Sequence, residues 1–128
     1  MVYGKEVVME DFKLCESDFR FMSVIWDAEP VQSGELVRLC AQRLGWKKPT
    51  TYTTLKKLCE RGFARNVDTI VTSLVPREQV QAYESNRFVE RTFAGSLPGF
   101  LVSFLGGRTL SQQEAEQLKQ LIDEHQEQ

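Results

Sequence analysis

At 128 residues, with 41% hydrophobic and 27% charged side chains, the chain suits one compact domain, or a small domain of roughly 70 residues with a helical extension. That size argues against a large enzyme, and no run of about 18 apolar residues is present to cross a bilayer. The net charge of −2 conceals an asymmetry: residues 1–37 hold three basic and eight acidic side chains (−5), whereas residues 38–65 hold eight basic and one acidic (+7). Positive charge gathered in one stretch of an acidic chain points to a polyanion as partner, with a merely solvated helix face as the plain alternative.

The start, "MVYGKEVVMEDFK", lacks a basic region followed by an apolar one, so no secretory signal is read and a cytoplasmic location is expected. Residues 1–13 show no clean period and read as a flexible arm. A first helix is expected from a cap at Ser17 through "DFRFMSVIWD", with Phe19, Met22, Ile25 and Trp26 on one face. After "AEPVQSG", a second helix, "GELVRLCAQRL", aligns Leu36, Val37, Cys40 and Leu44 and stops at Gly45.

The third helix lies in "GWKKPTTYTTLKKLCERGF" (45–63). Pro49 suits a first turn, where its missing N–H would be unpaired anyway, and Gly62 ends the helix. The spacing puts Tyr52, Leu55, Leu58 and Cys59 inward and Thr50, Thr53, Thr54, Lys57 and Arg61 outward. Threonine is a mediocre helix former, so four of them in two turns are there for a reason other than propensity. "FARNV" and "TIVTSLV" then read as a short antiparallel hairpin.

Three helices and a hairpin are the order of a winged helix-turn-helix. The expected fold is therefore mainly α with a small β-hairpin: a winged helix over 14–75, then a helical region from Pro76 to residue 128. In that region "REQVQAYESNRFVERTFAG" stops at Gly95, "SLPGFLVSFLGG" is strongly apolar, and "SQQE" offers a capping box between Ser111 and Glu114. Leu118, Leu121 and Ile122 form a narrow stripe with too little core of its own, for which the economical partner is a second copy.

Candidate chemistry is sparse. Cys15, Cys40 and Cys59 fit neither a disulfide framework nor a metal motif and read as buried small hydrophobes. His125 sits near the end of an exposed helix. No nucleophile motif, phosphate loop or paired carboxylate frame is present, so neither an enzyme nor a cofactor or metal site is expected.

The order of motifs resembles the BlaI/MecI penicillinase-repressor family, which includes the copper-responsive CopY repressors. The likeness is carried by "FMSVIW" (21–26), residues 34–63, "SLV" (73–75), "TFAGSL" (92–97) and "LSQQEAEQLKQLI" (110–122), and most specifically by Trp46, Pro49, Thr51, Thr54, Leu58 and Gly62 together. It implies a homodimeric transcriptional repressor whose third helix enters the major groove of a palindromic operator. Lys48, Thr50, Thr51, Thr53 and Thr54 would then read bases, and Lys47, Lys56, Lys57, Arg61 and Arg65 would meet phosphates. Dimerisation would fall to Tyr83, Phe88, Phe93, Phe100, Leu101, Phe104, Leu118, Leu121 and Ile122.

The chain departs from that family in three places. The wing is short and carries "NVDTIV", acidic and without a basic tip. Relatives are inactivated by a membrane-bound sensor protease at an Asn-Phe bond in the fifth helix; the matching pair is Ser103-Phe104, which keeps only the phenylalanine. No cysteine follows Cys59, which excludes the paired CxC motifs of the copper branch. A shortened wing also allows a reading from another class, a winged-helix interaction adaptor that has lost sequence-specific DNA binding.

Overall fold

The computed structural model describes residues 12–127. Most of the arm expected over 1–13 thus lies outside the described residues. Phe12 packs edge-on against Tyr83, with ring centroids 6.4 Å apart, and Leu14 is buried.

The order of elements is α1 (Glu16–Ala28), β1 (Val31–Gln32), α2 (Ser33–Leu44), α3 (Lys48–Glu60), β2 (Ala64–Val67), β3 (Ile70–Ser73), α4 (Arg77–Phe93), α5 (Leu97–Leu105) and α6 (Gln112–Glu124). The mainly helical winged architecture is as expected. Two details of α1 and α2 differ. Cys15, not Ser17, is the N-cap of α1, and it makes no side-chain cap bond. Glu16 and Asp18 in the first turn instead complement the positive end of the helix dipole. Between α1 and α2 the chain forms β1, which pairs antiparallel with β3 through Val31↔Val71 and Gln32↔Ile70, so the wing is one side of a three-stranded sheet ordered β1-β3-β2.

By packing, the described residues divide after Arg87 into a first unit and a second that starts at Phe88. The first unit extends past Pro76 because Val80 and Tyr83 of α4 are buried in it. Its core joins Phe21, Met22, Val24 and Ile25 of α1 to Leu36 and Cys40 of α2, Leu55 and Leu58 of α3, and Phe63 and Val71 of the wing. Each of the Phe, Met, Val, Ile and Leu side chains among them contributes roughly 1.5–3 kcal/mol by leaving water. Trp46 stacks on Phe21 at 5.6 Å, and the Trp26 indole N–H donates to the Val75 carbonyl at 2.9 Å.

The end of α3 sets the position of the wing. Gly62 adopts φ +84°, and its N–H reaches the Cys59 carbonyl while that of Phe63 reaches Leu58. This closes a Schellman motif, which carries the Phe63 ring directly into the core beside Leu58. At the wing tip Asp68 and Thr69 both have positive φ, 52° and 65°, as a two-residue primed turn requires. Asp tolerates that region; β-branched Thr69 does so only under strain.

In residues 88–128, Ser96 and Ser111 cap α5 and α6 by accepting from the N–H groups of Gly99 and Glu114. The Ser111 half of the expected capping box is thus formed. Phe88, Phe93, Phe100 and Phe104 meet ring to ring at 5.5–6.0 Å, yet none of them is fully buried.

Candidate nucleic-acid interface

The helix α3 begins after an N-cap at Lys47 that makes no side-chain bond, has Pro49 in its first turn and has no acid there. Its first N–H groups therefore stay available at the positive end of the dipole, among Lys47 and Lys48.

The four threonines divide. Thr50 and Thr53 are exposed, whereas Thr51 is fully buried and Thr54 nearly so. Thr51 and Leu55, with Leu58 and Thr54, make the inward stripe at i, i+3 and i+4 spacing, which corrects the expected outward placement of Thr54 and removes Thr51 and Thr54 from the exposed reading face. The Thr51 hydroxyl donates back to the Lys47 carbonyl at 3.4 Å, so a buried polar group is partnered within its own helix. Tyr52, expected inward, is instead 36% exposed. With Leu55, Lys56 and Cys59 it lines a shallow groove of about 310 Å³ whose other side is Asn66 of β2. Tyr52 is the surface residue that the sequence reading missed; counting the stripe from Thr51 rather than from Tyr52 would have found it.

The five basic residues named for phosphates also divide. Lys47, Lys56 and Arg65 are exposed, and no ion pair among the described residues involves them. Lys57 pairs with both carboxylate oxygens of Asp18 at 2.9 Å, and Asp18 is almost wholly buried. Arg61 donates to the Lys13 carbonyl and lies 4.8 Å over the Phe63 ring. Asp18, an acid four residues ahead of Met22 on the apolar stripe of α1, carried a signal in the sequence: a charge at a core position needs a partner.

The wing supplies Arg65, opposite Thr72, but its tip is Asp68-Thr69 between exposed Val67 and Ile70. Behind it, the Glu29 carboxylate accepts from the N–H and hydroxyl of Ser73 at 2.7 and 2.9 Å. Asp27 holds Arg77 at 2.6 Å and Arg43 at 3.0 Å, and hydrogen bonding from Arg77 keeps its carboxyl below the usual range. Burial pushes the Cys40 and Cys59 thiols up, consistent with small hydrophobes; Cys15, expected buried, is exposed.

Of the residues named for dimerisation, Tyr83 is buried within the first unit and its hydroxyl has no partner among the described residues. Phe88, Phe104, Leu118, Leu121 and Ile122 are exposed, and Phe93, Phe100 and Leu101 half-buried. Ser103 and Phe104 are exposed on α5. Among the described residues no helix is long and apolar enough to cross a membrane.

The penicillinase repressor family model matches residues 14–124. The chain is 22% identical over 116 residues to the methicillin resistance regulatory protein MecI of Staphylococcus aureus, covering 88% of this chain and 94% of that one. It is likewise 22% identical over 117 residues to the penicillinase repressor of Bacillus licheniformis, covering 88% and 91%.

Proposed function

The chain belongs to the penicillinase repressor family, whose members are repressors and not enzymes, and on that premise we propose that it is a homodimeric transcriptional repressor. In this reading α3 enters the major groove of each half of a palindromic operator in double-stranded DNA. The observation that carries it is the start of α3, where exposed Lys47, Lys48, Thr50 and Thr53 surround free helix N–H groups with no acid in the first turn.

The lysines supply affinity that any duplex satisfies, and Thr50, Thr53 and Tyr52 face outward to choose among sequences. No Arg, Asn or Gln stands on the outward face of α3 for a bidentate base contact except Arg61, which is engaged elsewhere. Specificity therefore leans on the spacing of two half-sites and on DNA shape.

Relief of repression would come from a membrane-bound sensor protease cutting at Ser103-Phe104. That bond lies in the last turn of α5, where the Gly106 N–H still bonds the Val102 carbonyl, so cutting requires this turn to open.

The exposed Val67-Ile70 pair and acidic Asp68 of the wing favour the adaptor reading instead. Selection of bound fragments from random duplex DNA separates the two. A recovered palindrome establishes the repressor reading and its symmetry; no binding to any duplex at about 50 mM salt supports the adaptor.

A further inference from the structure

We infer that Lys57 and Arg61 are positioning residues rather than phosphate contacts: the segment Lys13–Asp18 holds one flank of α3 through them and so fixes how the helix is presented. The inference rests on the DNA-binding reading above for its consequence, though the strap itself is a matter of packing. Lys57 and Arg61 stand at i and i+4, on the same flank of α3. Both are met by the chain just before and within the first turn of α1, Lys57 by the Asp18 carboxylate and Arg61 by the Lys13 carbonyl.

The burial of Asp18 decides between the two roles. Its side chain is 5% exposed, and the two bonds from Lys57 are the side-chain partners it has among the described residues. Drawing Lys57 away to a DNA phosphate would leave that carboxylate buried and unpaired. Such a loss exceeds what one phosphate contact returns through counterion release. The dipole of α1 favours a negative charge at Asp18, which holds the anchor end in place. Arg61 is bound a second way, by its stack over Phe63, a core residue. The phosphates are left to Lys47, Lys48, Lys56 and Arg65.

The strap adds a polar hold on the rotation of α3 to the one its buried stripe of Thr51, Thr54, Leu55 and Leu58 supplies. A helix free to roll would carry Thr50 and Thr53 past the base edges, so Asp18 acts on sequence reading without approaching DNA.

The test uses the full chain and a random-sequence duplex, with affinity measured by fluorescence anisotropy from 50 to 200 mM salt. Lys56→Gln should flatten the slope of log affinity against log salt by about 0.9 for each phosphate given up. The double variant Asp18→Asn, Lys57→Gln removes both charges together and lets the two amides bond each other, so no buried charge is left unpaired; it should keep the parental slope, as should Arg61→Met. A slope flattened as in Lys56→Gln overturns the assignment.

The same variants in thermal unfolding give a readout independent of DNA. The Asp18→Asn and Lys57→Gln singles should each lower the midpoint, and the double variant by less than their sum. Additive shifts refute the strap. If the parental chain binds no duplex, the DNA reading falls while this thermal cycle still decides whether Asp18 holds α3.

Discussion

In the first unit Phe21, Met22, Val24, Ile25, Leu36 and Phe63 have no exposed surface, whereas in residues 88–128 Leu97, Val102, Phe104, Leu121 and Ile122 are 48–76% exposed. Both regions are built of amphipathic helices, and those of residues 88–128 are the better capped, since α5 and α6 carry serine N-caps while α1, α2 and α3 have no side-chain cap bond. What separates them is that α1, α2, α3 and the sheet supply one another's apolar faces, while α5 and α6 bring more apolar surface than their own unit covers. Side chains of this size are ordinarily buried, and a patch of them marks an interaction surface. Under the proposed homodimer a second copy covers them.

Truncation separates the two regions most sharply. A chain ending at Arg87 should fold and sediment as a monomer, with operator affinity lowered by about 10²- to 10⁴-fold, because two half-site binders no longer share a link. A cut after Pro76, where the sequence suggests the boundary, should unfold more easily, since it removes Val80 and Tyr83 from the core. A fragment ending at Arg87 that still sediments as a dimer would break the comparison.

Point substitutions sharpen it. Phe21→Ala should cost about 3–5 kcal/mol of stability, the range for an aromatic deleted from a packed core. Ile122→Ala removes an exposed side chain and should change unfolding of the first unit by less than about 0.5 kcal/mol while weakening self-association. Denaturant titration followed by tryptophan fluorescence reads the first effect cleanly, because Trp26 and Trp46 both lie in the first unit. Sedimentation against concentration reads the second.

The helices were legible because apolar spacing, Pro49, Gly45 and Gly62 all agreed with one another. The strand β1 was not, since two residues carry no period and the strand partner of Val31, Val71, lies far along the chain. Residue types suggested a hairpin but not its turn: Asp68-Thr69 lacks the glycine that usually announces positive φ, and the sheet imposes the conformation. In α3 the buried stripe runs through Thr51 and Thr54 and not through Tyr52, a rotation of the face that the residue types predict. Threonine is small enough to be buried, as Thr51 is with its hydroxyl bonded back to Lys47, so polarity alone predicts Thr54 outside and Tyr52 inside where the structure buries Thr54 and exposes Tyr52. The roles of Lys57 and Arg61 were unreadable for a different reason. Their partners, Asp18 and Lys13, are 39 and 48 residues away, and nothing local distinguishes a lysine held by a carboxylate from one awaiting a phosphate.

The smallest expected effect concerns a polar difference between the two regions. The ion pairs among the described residues all lie in the first unit, and Asp27 holds two of its arginines, Arg43 and Arg77. Hydrogen bonding from Arg77 is the largest influence on Asp27 and lowers its folded-state pKa below the ordinary 3.8. A carboxyl with a depressed folded pKa adds stability above its unfolded pKa, and loses it as pH falls through the folded value. Asp27→Asn should therefore destabilise the first unit at pH 7 and equally at pH 5, and the gap from the parent should close below about pH 4. Because the Asp27 side chain is 45% exposed, solvent screening holds the gap to a few tenths of a kcal/mol. Urea titrations at pH 7, 5 and 3 measure it; a gap that persists undiminished at pH 3 would trace the loss to the shape of the side chain and not to its charge.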